Sequence, residues 1–528
     1  MRKINILFAL TLLAGSVSSQ DIPKYCLEND SVNHYLNDFS YDTIPDLNVS
    51  YILNYLDTTC SFRQDWPKPV ELKWTAQSGI DSQWIEVSES DQFTEPMTFQ
   101  VSKDASAYEI YNLIPGKHYY YRIAGTKDGA DTQIGNGQFE TTGFLRMLRA
   151  DGTLNVRDMG GWTGLGGHKI AYGKLFRGAR LKYDGKSTNA LTDEGIAAMR
   201  DAGIRAELDL RSNSNVPSSV SALAVQDGSG KYDVDFKLVS SSVNARMLNY
   251  DKNDANIIEL KWIISELKAG KPVYYHCSMG ADRTGTLGFL IGALLGMSEG
   301  DLAKDYEITT FCSKYTGENP TSPTPFARLR NYTGKMGSVD NNASTKQEYM
   351  FAPLIDKLNK LSGNTIQRKI YDFFKKGVEG YSTKISEADL DWFIDYMVGY
   401  KMVKKVTLKG TQSLKVGEQT KLVPGHTPVD ATDTTYVFKS NNKDVVTVDQ
   451  NGVVTAVAPG FAYVIATIDG LSKSLKITVT ADETPVIETP ADEEPAYAKK
   501  FNMAGQETDG AAQGMFIMDG KTYIKIEN

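Results

Sequence analysis

The sequence predicts a multidomain protein in which a central α/β domain, with a mostly parallel sheet flanked by helices, lies between two all-β sandwiches. The chain has 528 residues, more than one hydrophobic core normally organises. Strand and helix signals alternate over residues 143–402, which favours a parallel sheet. Short alternating stretches separated by turn residues fill 49–142 and 403–480, a pattern typical of antiparallel sandwiches.

The composition limits the classes of partner and site. A net charge of −8 argues against nucleic acid as the main partner. Five scattered histidines offer no cluster of metal ligands, so neither a metal nor another cofactor is expected. Four cysteines are too few for a disulfide scaffold, although Cys26 and Cys60 lie in one region and could pair in an oxidising compartment.

Residues 1–19 have the pattern of a cleavable signal peptide. Arg2 and Lys3 are followed by the apolar run Ile4 to Ala14 and by small residues up to Ser19. The apolar run is too short to cross a bilayer, and no transmembrane anchor is predicted elsewhere. We therefore expect an exported protein that is periplasmic, held at the outer surface or secreted.

Residues 20–48 are interpreted as a polar, irregular N-terminal extension, and residues 49–142 as the first sandwich. Three stretches of this sandwich have the alternation of half-buried strands: Val70 to Trp74, Gln83 to Val87 and Tyr119 to Ile123. The stretch from Leu113 to Arg122 resembles the Leu-x-Pro-Gly turn and Tyr-x-Tyr-Arg strand of fibronectin type III domains. The resemblance implies a spacer or binding module.

The central domain, residues 143–402, carries helix start and stop signals in a regular order. Thr192 can cap a helix that Gly203 ends, and Ile204 to Leu210 follows as a buried strand. A second helix is predicted over Asn253 to Ala269, before an apolar strand that begins near Pro272. Further helices are predicted over Gly285 to Met297, Ser298 to Thr310, Gln347 to Leu361, Thr365 to Lys376 and Glu387 to Tyr400.

The second sandwich, residues 403–480, contains the run Asn441 to Gly460. Its asparagine-rich turn, Val-x-x-Val-Asp run, Asn-Gly pair and Ala-Pro-Gly turn resemble the bacterial immunoglobulin-like repeat of surface proteins. This resemblance implies display or adhesion, with a surface ligand as partner. Residues 481–497 are predicted to form an acidic, proline-containing linker. Residues 498–528 resemble a C-terminal sorting signal of Gram-negative secretion, with one extra hairpin on the sandwich as the alternative.

The candidate site is the ten-residue segment His276–Gly285, between a predicted strand and a predicted helix. Cys277 and Arg283 stand six positions apart across this loop, so both can face one bound oxyanion. Backbone N–H groups of the loop and the N-terminus of the following helix can bind the same anion. The pattern therefore predicts a phosphate-binding cradle with a nucleophilic thiolate at its floor.

The chemistry of these groups predicts that Cys277 attacks phosphorus to form a phosphocysteine while Arg283 clamps two phosphoryl oxygens. Thr284 can hydrogen-bond the sulfur and assist its departure. Four motifs in order resemble those of the bacterial tyrosine and lipid phosphatases: Leu154 to Gly161, Gly173 to Ala179, Leu208 to Ser212 and Cys277 to Thr284. The resemblance implies that Asp282 protonates the leaving oxygen.

The remaining residues of the site have less specific roles. Asp158 and Asp209 are alternative general acids, although each can instead organise a neighbouring arginine or the loop backbone, and Asp282 can simply pair with Arg283. His276 is expected to be buried and to orient the loop. Substrate contacts are assigned to the loop and to two arginines that could equally form structural ion pairs: Ser278, Met279, Gly280, Ala281, Gly285, Arg177 and Arg211.

Ala281 limits the choice of substrate. Many members of the resembling family carry lysine at this position, where it helps to bind multiply phosphorylated headgroups. Phosphotyrosine or a small phosphoester is therefore favoured over a phosphoinositide or inositol polyphosphate. The expected partners are phosphorylated protein, lipid or small-molecule substrates. The alternative from another class is an inactive surface-binding protein that only holds phosphorylated ligands, but the intact Cys277, Arg283 and Thr284 argue against it.

Overall fold

The computed structural model describes residues 21–38, 55, 63, 65–213, 216, 219–240, 251–312, 358–361, 363–481, 500–502, 507–508, 514–518 and 521–525. The predicted signal peptide, nearly all of the predicted linker, most of the predicted helix Gln347 to Leu361, and Cys60 lie outside these residues. The chain folds into two compact units: residues 1–409, 423–438 and 465–474 form the first, and 410–422, 439–464 and 475–528 form the second.

Two sheets build the N-terminal part of the first unit. A five-stranded sheet has the order β1-β7-β6-β3-β4, and a two-stranded sheet pairs β2 with β5. The strands are β1 (Lys24–Cys26), β2 (Val70–Lys73), β3 (Ser82–Ser88), β4 (Met97–Val101), β5 (Ala107–Ile110), β6 (His118–Lys127) and β7 (Ala130–Thr142). Alternate residues such as Val70, Leu72, Ile85 and Val87 form the core, as the period of two predicts. The hydroxyl of Tyr119 accepts a hydrogen bond from Ile114 N (3.1 Å), which ties the predicted turn to β6.

The prediction of an irregular N-terminal extension over residues 20–48 is wrong for residues 21–38, which are the part of it that the structure describes. β1 adds a parallel strand to β7, with Lys24 opposite Glu140, and helix α1 (Asp30–Asp38) follows. Three of its side chains, Val32, Tyr35 and Leu36, belong to the core of the central domain. A three-residue strand and a nine-residue helix have little stability of their own, so tertiary contacts decide this structure and local sequence does not reveal it.

A second five-stranded sheet, with the order β11-β10-β12-β9-β8, forms the centre of the first unit. The pairs β11/β10, β10/β12 and β12/β9 are parallel, whereas β8/β9 is antiparallel. The strands are β8 (Arg157–Asp158), β9 (Leu175–Gly178), β10 (Ala206–Asp209), β11 (Asp235–Leu238) and β12 (Val273–His276). Every residue of β8, β9, β10 and β12 is buried.

Helices accompany this sheet, and the predicted ones within the described residues are confirmed. They are α2 (Asp193–Asp201), α3 (Ala255–Lys268), α4 (Asp282–Leu294), α5 (Glu299–Glu307), α6 (Ile366–Lys376) and α7 (Glu387–Val398). Thr192 caps α2 by accepting a hydrogen bond from Gly195 N (3.1 Å), as predicted. α4 is buried from Thr284 to its end, which suits the centre of a large core. Among the described residues, none of the helices combines the length and apolar content needed to cross a membrane.

The C-terminal part of the chain is rich in strands. They are β13 (Lys405–Lys409), β14 (Ser413–Lys415), β15 (Gln419–Lys421), β16 (Val423–Thr427), β17 (Val437–Ser440), β18 (Val446–Val448), β19 (Val453–Ala456), β20 (Gly460–Ile468) and β21 (Leu471–Thr480). In the first unit β13 pairs with β16. In the second unit β19 lies between β15 and β18, and β14 pairs with the end of β21.

The last described residues form a four-stranded antiparallel sheet with the order β23-β22-β24-β25. Its strands are β22 (Lys500–Asn502), β23 (Glu507–Thr508), β24 (Gly514–Met518) and β25 (Lys521–Lys525). The strand pattern predicted near Gly514 and Tyr523 is therefore confirmed. The alternative of one extra hairpin on the sandwich is too simple, since β24 and β25 share a sheet with two further strands.

Candidate active site

The candidate loop lies where three parallel strands end. In the register of the sheet, His276 at the end of β12 is opposite Gly178 of β9 and Asp209 of β10. The carboxyl ends of these strands therefore meet at one edge, the usual place for ligand sites in such sheets. Cys277 follows β12 directly and is 4% exposed, and α4 begins at Asp282. Strand, loop and helix are thus arranged as predicted.

Gly280 allows the loop to lie against β9. Its φ is +69°, and a Cβ there would lie 2.5 Å from the backbone carbon and oxygen of Gly178. Any other residue would be strained by its backbone conformation and would clash with main-chain atoms that cannot move aside. The glycine therefore fixes the path of the loop between the nucleophile and the helix.

The carbonyl oxygens of the loop are held from outside the cradle. Asn155 Nδ2 donates to Gly280 O (3.1 Å), Arg177 Nη2 donates to the same oxygen (3.2 Å), and Arg180 N donates to Ser278 O (3.3 Å). These bonds occupy the carbonyl oxygens of Ser278 and Gly280 and fix the backbone of the loop. A fixed backbone can offer its N–H groups to an anion without reorganising.

A buried ion cluster supports the outer side of the loop. Asp305 of α5 accepts from Arg157 Nε (2.9 Å) and from Arg177 Nη1 (2.5 Å), and all three side chains are buried. Burial alone would raise the pKa of Asp305, but the two arginines lower it below its usual value. With two positive charges to one negative, the cluster favours an anion in the adjacent cradle.

Arg177 is predicted from the sequence to contact substrate, and the structure corrects this prediction. The side chain is fully buried between Asp305 and the outer face of Gly280. Gly288 on α4 makes room for it, because a Cβ at that position would lie 2.5 Å from Arg177 Nη1. Arg177 therefore shapes the loop from behind.

Cys277 has the electrostatic environment of a nucleophile. Burial alone would raise the pKa of its thiol, but the charge of Arg283 and hydrogen bonds from the side chain and backbone N–H of Thr284 lower the pKa below the usual value. The Thr284 hydroxyl is buried and has no other hydrogen-bond partner of standard geometry among the described residues. The hydroxyl can therefore donate its hydrogen bond to the sulfur of Cys277.

Asp282, the predicted general acid, occupies the first turn of α4 and is partly exposed. Its charge acts on Cys277 in the direction that raises the thiol pKa, which indicates that the two groups are close. Asp158 is a poor alternative acid, since its carboxylate is fully buried and accepts from Arg146 Nη1 (3.2 Å) and the backbone of Gly160 and Gly173.

Asp209 and Arg211 form a second buried pair. Asp209 accepts from Arg211 Nε (3.0 Å) and Nη2 (2.6 Å) and is fully buried, so it is also poorly suited to donate a proton to a substrate. Arg211 continues to Asp184, whose Oδ1 lies 2.8 Å from Arg211 Nη1 and accepts from Ser278 Oγ (3.2 Å). Arg211, predicted to contact substrate, instead anchors the rim of the loop through Asp184.

His276 is buried, and its ring connects β12 to β10. Nε2 lies 2.9 Å from Glu207 Oε1, and Nδ1 lies 3.1 Å from Cys277 O. Burial alone would lower the His276 pKa, but Asp209 and Glu207 raise it overall. His276, Glu207 and Asp209 bring three ligand-type atoms within 4.8 Å, a cluster that the sequence analysis did not predict. Their bonds to one another and to Arg211 favour a hydrogen-bond network over a metal site.

Three functional candidates were missed from the sequence. Asn155 lies in the motif Leu154 to Gly161, but its hydrogen bond to the loop is not visible in the sequence. Its positive φ of 59° is likewise seen only in the structure. Asp184 lies on a polar loop with no pattern of its own. Glu259 stands on α3 among apolar residues, where a charged residue ordinarily indicates the solvent face, yet it is 1% exposed.

Comparison with known proteins finds relatives that match parts of this chain. A protein of Cupriavidus necator, named as a candidate tyrosine-protein phosphatase, is 26% identical over 180 residues, which are 30% of this chain and 61% of that protein. An A type blood N-acetyl-alpha-D-galactosamine deacetylase of Flavonifractor plautii is 36% identical over 111 residues, 21% of this chain and 14% of its own. The chain thus spans less than two thirds of these relatives.

Similarity to solved structures is weak. The intimin–Tir90 complex is 23% identical and covers 15% of this chain and 47% of that chain, with a TM-score of 0.13. Family models are more informative: residues 148–365 match the tyrosine phosphatase family, and residues 402–479 match the bacterial Ig-like domain, group 2. The chain therefore contains a domain of the tyrosine phosphatase family followed by a bacterial immunoglobulin-like domain.

Proposed function

We propose that this protein is an exported, cysteine-dependent phosphatase that hydrolyses phosphate monoesters, with phosphotyrosine as the favoured substrate. The observation that carries the proposal is the environment of Cys277. Its thiol lies at the floor of an anion cradle, and Arg283 and Thr284 lower its pKa although burial opposes them. A thiol whose pKa is lowered beside a guanidinium forms its thiolate more readily, which suits attack on a phosphoryl group.

The first step transfers the phosphoryl group to sulfur. The Cys277 thiolate attacks phosphorus, the bond to the leaving oxygen breaks, and Asp282 gives that oxygen its proton. Arg283 binds two equatorial oxygens in its planar fork. In the second step water attacks phosphorus, the Asp282 carboxylate takes its proton, and sulfur leaves as a thiolate stabilised by Thr284. The products are the alcohol or phenol and inorganic phosphate.

Ala281 favours a substrate with a single phosphate. Its side chain is fully buried and brings no cation to the cradle. A multiply phosphorylated headgroup would therefore lack the extra counter-charge that a lysine could supply at this position. Phosphotyrosine needs only one phosphate site, so it remains the favoured substrate. Phosphoinositides and inositol polyphosphates are the alternative.

The direct experiment is hydrolysis of para-nitrophenyl phosphate by the full chain. We expect turnover by the wild type and none by Cys277→Ser. Cys312→Ser is the matched control, because Cys312 is also a buried free thiol but burial raises its pKa well above the usual value. Equal inactivity of wild type and Cys277→Ser, with the fold intact, would favour a binding protein instead. A panel of phosphotyrosine peptides, phosphoinositides and phytate then assigns the substrate.

Export is the second part of the proposal. The pattern of residues 1–19 supports it, and the bacterial immunoglobulin-like domain is compatible with it. Cell fractionation with and without residues 1–19 tests it, with loss of export expected on deletion. The two sandwich regions are proposed as surface-binding modules, which pull-down with either region deleted would test.

A further inference from the structure

Helix α3 buries a carboxyl group in an apolar environment. Glu259 is 1% exposed, and the neighbouring Ile257, Leu260 and Ile263 belong to the hydrophobic core. Among the described residues, its Oε2 atom has no hydrogen-bond partner. An unpaired buried polar atom costs on the order of 1–3 kcal/mol, so this position calls for a functional explanation.

The helix that carries Glu259 packs against the elements that form the cradle. α3 packs against α4, β10 and β12. The ionisable groups on or directly after these elements are Asp282 and Arg283 on α4, Glu207 and Asp209 on β10, and Tyr274, Tyr275, His276 and Cys277 on and after β12. Glu207, Asp209 and His276 are engaged with one another or with Arg211. Arg283 is the group whose charge acts on Glu259.

One guanidinium is therefore shared between two acidic groups. Burial raises the pKa of Glu259 to about 8, against the opposing effect of Arg283. The same Arg283 lowers the pKa of Cys277. At neutral pH a protonated Glu259 leaves the charge of Arg283 to the thiolate and the phosphoryl group. In alkaline solution a Glu259 carboxylate competes with both for that charge.

We propose that Glu259 is a proton-gated positioning residue: its neutral form lets the guanidinium of Arg283 stay at the cradle, where it clamps the phosphoryl group, and its ionised form draws the guanidinium away from the cradle. The inference rests on the proposed function in that it concerns the same loop. It adds an alkaline limit to the activity that differs from the loss of the Asp282 proton, because it does not depend on whether the leaving group needs protonation.

The pH profile of kcat/KM for para-nitrophenyl phosphate tests the proposal. The nitrophenolate leaving group needs little protonation, so Asp282 contributes little to the alkaline limb. For a single ionisation near pH 8 we expect wild-type kcat/KM to fall about tenfold from pH 7 to pH 9. Glu259→Gln should stay within about twofold over the same range. A purely structural role would lower activity at every pH and leave the profile unchanged.

Glu266→Gln is the matched control. Glu266 lies on the same helix, and burial together with Asp235 raises its pKa to about 7. Its electrostatic partners are Asp235 and Lys271, so its variant should keep the wild-type alkaline fall. If Glu259→Gln retains that fall while remaining folded, or if Glu266→Gln abolishes it, the proposal is overturned.

Binding of tungstate, which stays dianionic over this range, separates this inference from the proposed function. In the Cys277→Ser variant, the affinity for tungstate should fall above pH 8. At pH 8 about half of the Glu259 side chains are ionised in the absence of tungstate, and binding of the dianion should protonate them again. Binding at this pH should therefore take up about half a proton. Calorimetry in two buffers measures this uptake, and adding Glu259→Gln should remove it. If tungstate binding takes up no proton, the inference about Glu259 is overturned, even if the enzyme is active. If tungstate binding takes up the proton but the wild type does not turn over substrate, only the phosphatase proposal is overturned.

Discussion

Replacing Glu259 by glutamine should change how the stability of the central domain depends on pH. The folded-state pKa of Glu259 is about 8, raised by burial from an ordinary value of 4.5. Between these two values the unfolded chain loses this proton while the folded chain keeps it. Stability contributed by Glu259 is therefore complete below pH 4.5 and is lost as the pH rises towards 8.

The magnitude follows from that shift. One proton of difference corresponds to about 1.4 kcal/mol in the free energy of unfolding per pH unit, and to about 5 kcal/mol at most by pH 8. Glutamine has nearly the same shape and does not titrate. The wild type should therefore lose stability with rising pH while Glu259→Gln does not. The free energy of unfolding of Glu259→Gln minus that of the wild type should rise by about 1.4 kcal/mol per pH unit between pH 5 and pH 7.5.

Pulsed thiol labelling during urea denaturation of the full chain measures this difference. Cys312 is 2% exposed in the central domain, so labelling of its peptide reports unfolding of that domain alone. Glu194→Gln is the control, because it removes an exposed carboxylate from α2 and should leave the pH slope unchanged. A slope equal to that of the wild type in Glu259→Gln would refute the reasoning, since it would mean that Glu259 ionises normally in the folded protein.

Three further predictions concern the loop and its support. Asp282→Asn should lower kcat for phosphotyrosine by roughly 10²–10⁴-fold and for para-nitrophenyl phosphate much less, since nitrophenolate leaves without a proton; equal losses would remove Asp282 as the acid. Asp305→Asn should destabilise the central domain by about 3–5 kcal/mol, because Arg157 and Arg177 would remain buried without their carboxylate; urea denaturation with the Cys312 probe measures this. Mild peroxide should inactivate the wild type and added thiol should restore it through oxidation of Cys277; an active enzyme insensitive to peroxide would contradict a low-pKa nucleophile.

The sequence predicts the loop well because its chemistry is local. Cys277, Gly280 and Arg283 lie within seven consecutive residues, and the helix that Arg283 helps to begin is strongly apolar. Their order along the chain is also their order in space, so spacing alone indicates the cradle. The helices are predictable for the same reason, as Thr192 shows by capping α2 from the position expected.

Residues that act through long-range contacts could not be assigned in this way. Arg177 and Arg211 belong to motifs, but the motif does not tell whether the arginine contacts substrate or a buried carboxylate. For Arg177 the partner lies more than a hundred positions away, and for Arg211 it lies on another loop. Arg177 meets Asp305, and Arg211 meets Asp184. The N-terminal helix α1 likewise packs its apolar side chains into the core of the central domain, a long-range contact that the local sequence does not reveal.

The charges around the loop explain why a reactive thiolate can lie in a buried site. Arg157 and Arg177 supply positive charge from behind the loop, and Asp305 satisfies only part of it. Arg283 supplies positive charge from α4, where a neutral Glu259 leaves it available. Because Arg157 and Arg177 are held by Asp305, this part of the positive charge need not reorganise when phosphate arrives, which is a condition for strong electrostatic stabilisation of the transition state. The same environment makes Cys277 prone to oxidation, so the proposed export and the proposed catalysis would impose opposite demands on one sulfur atom.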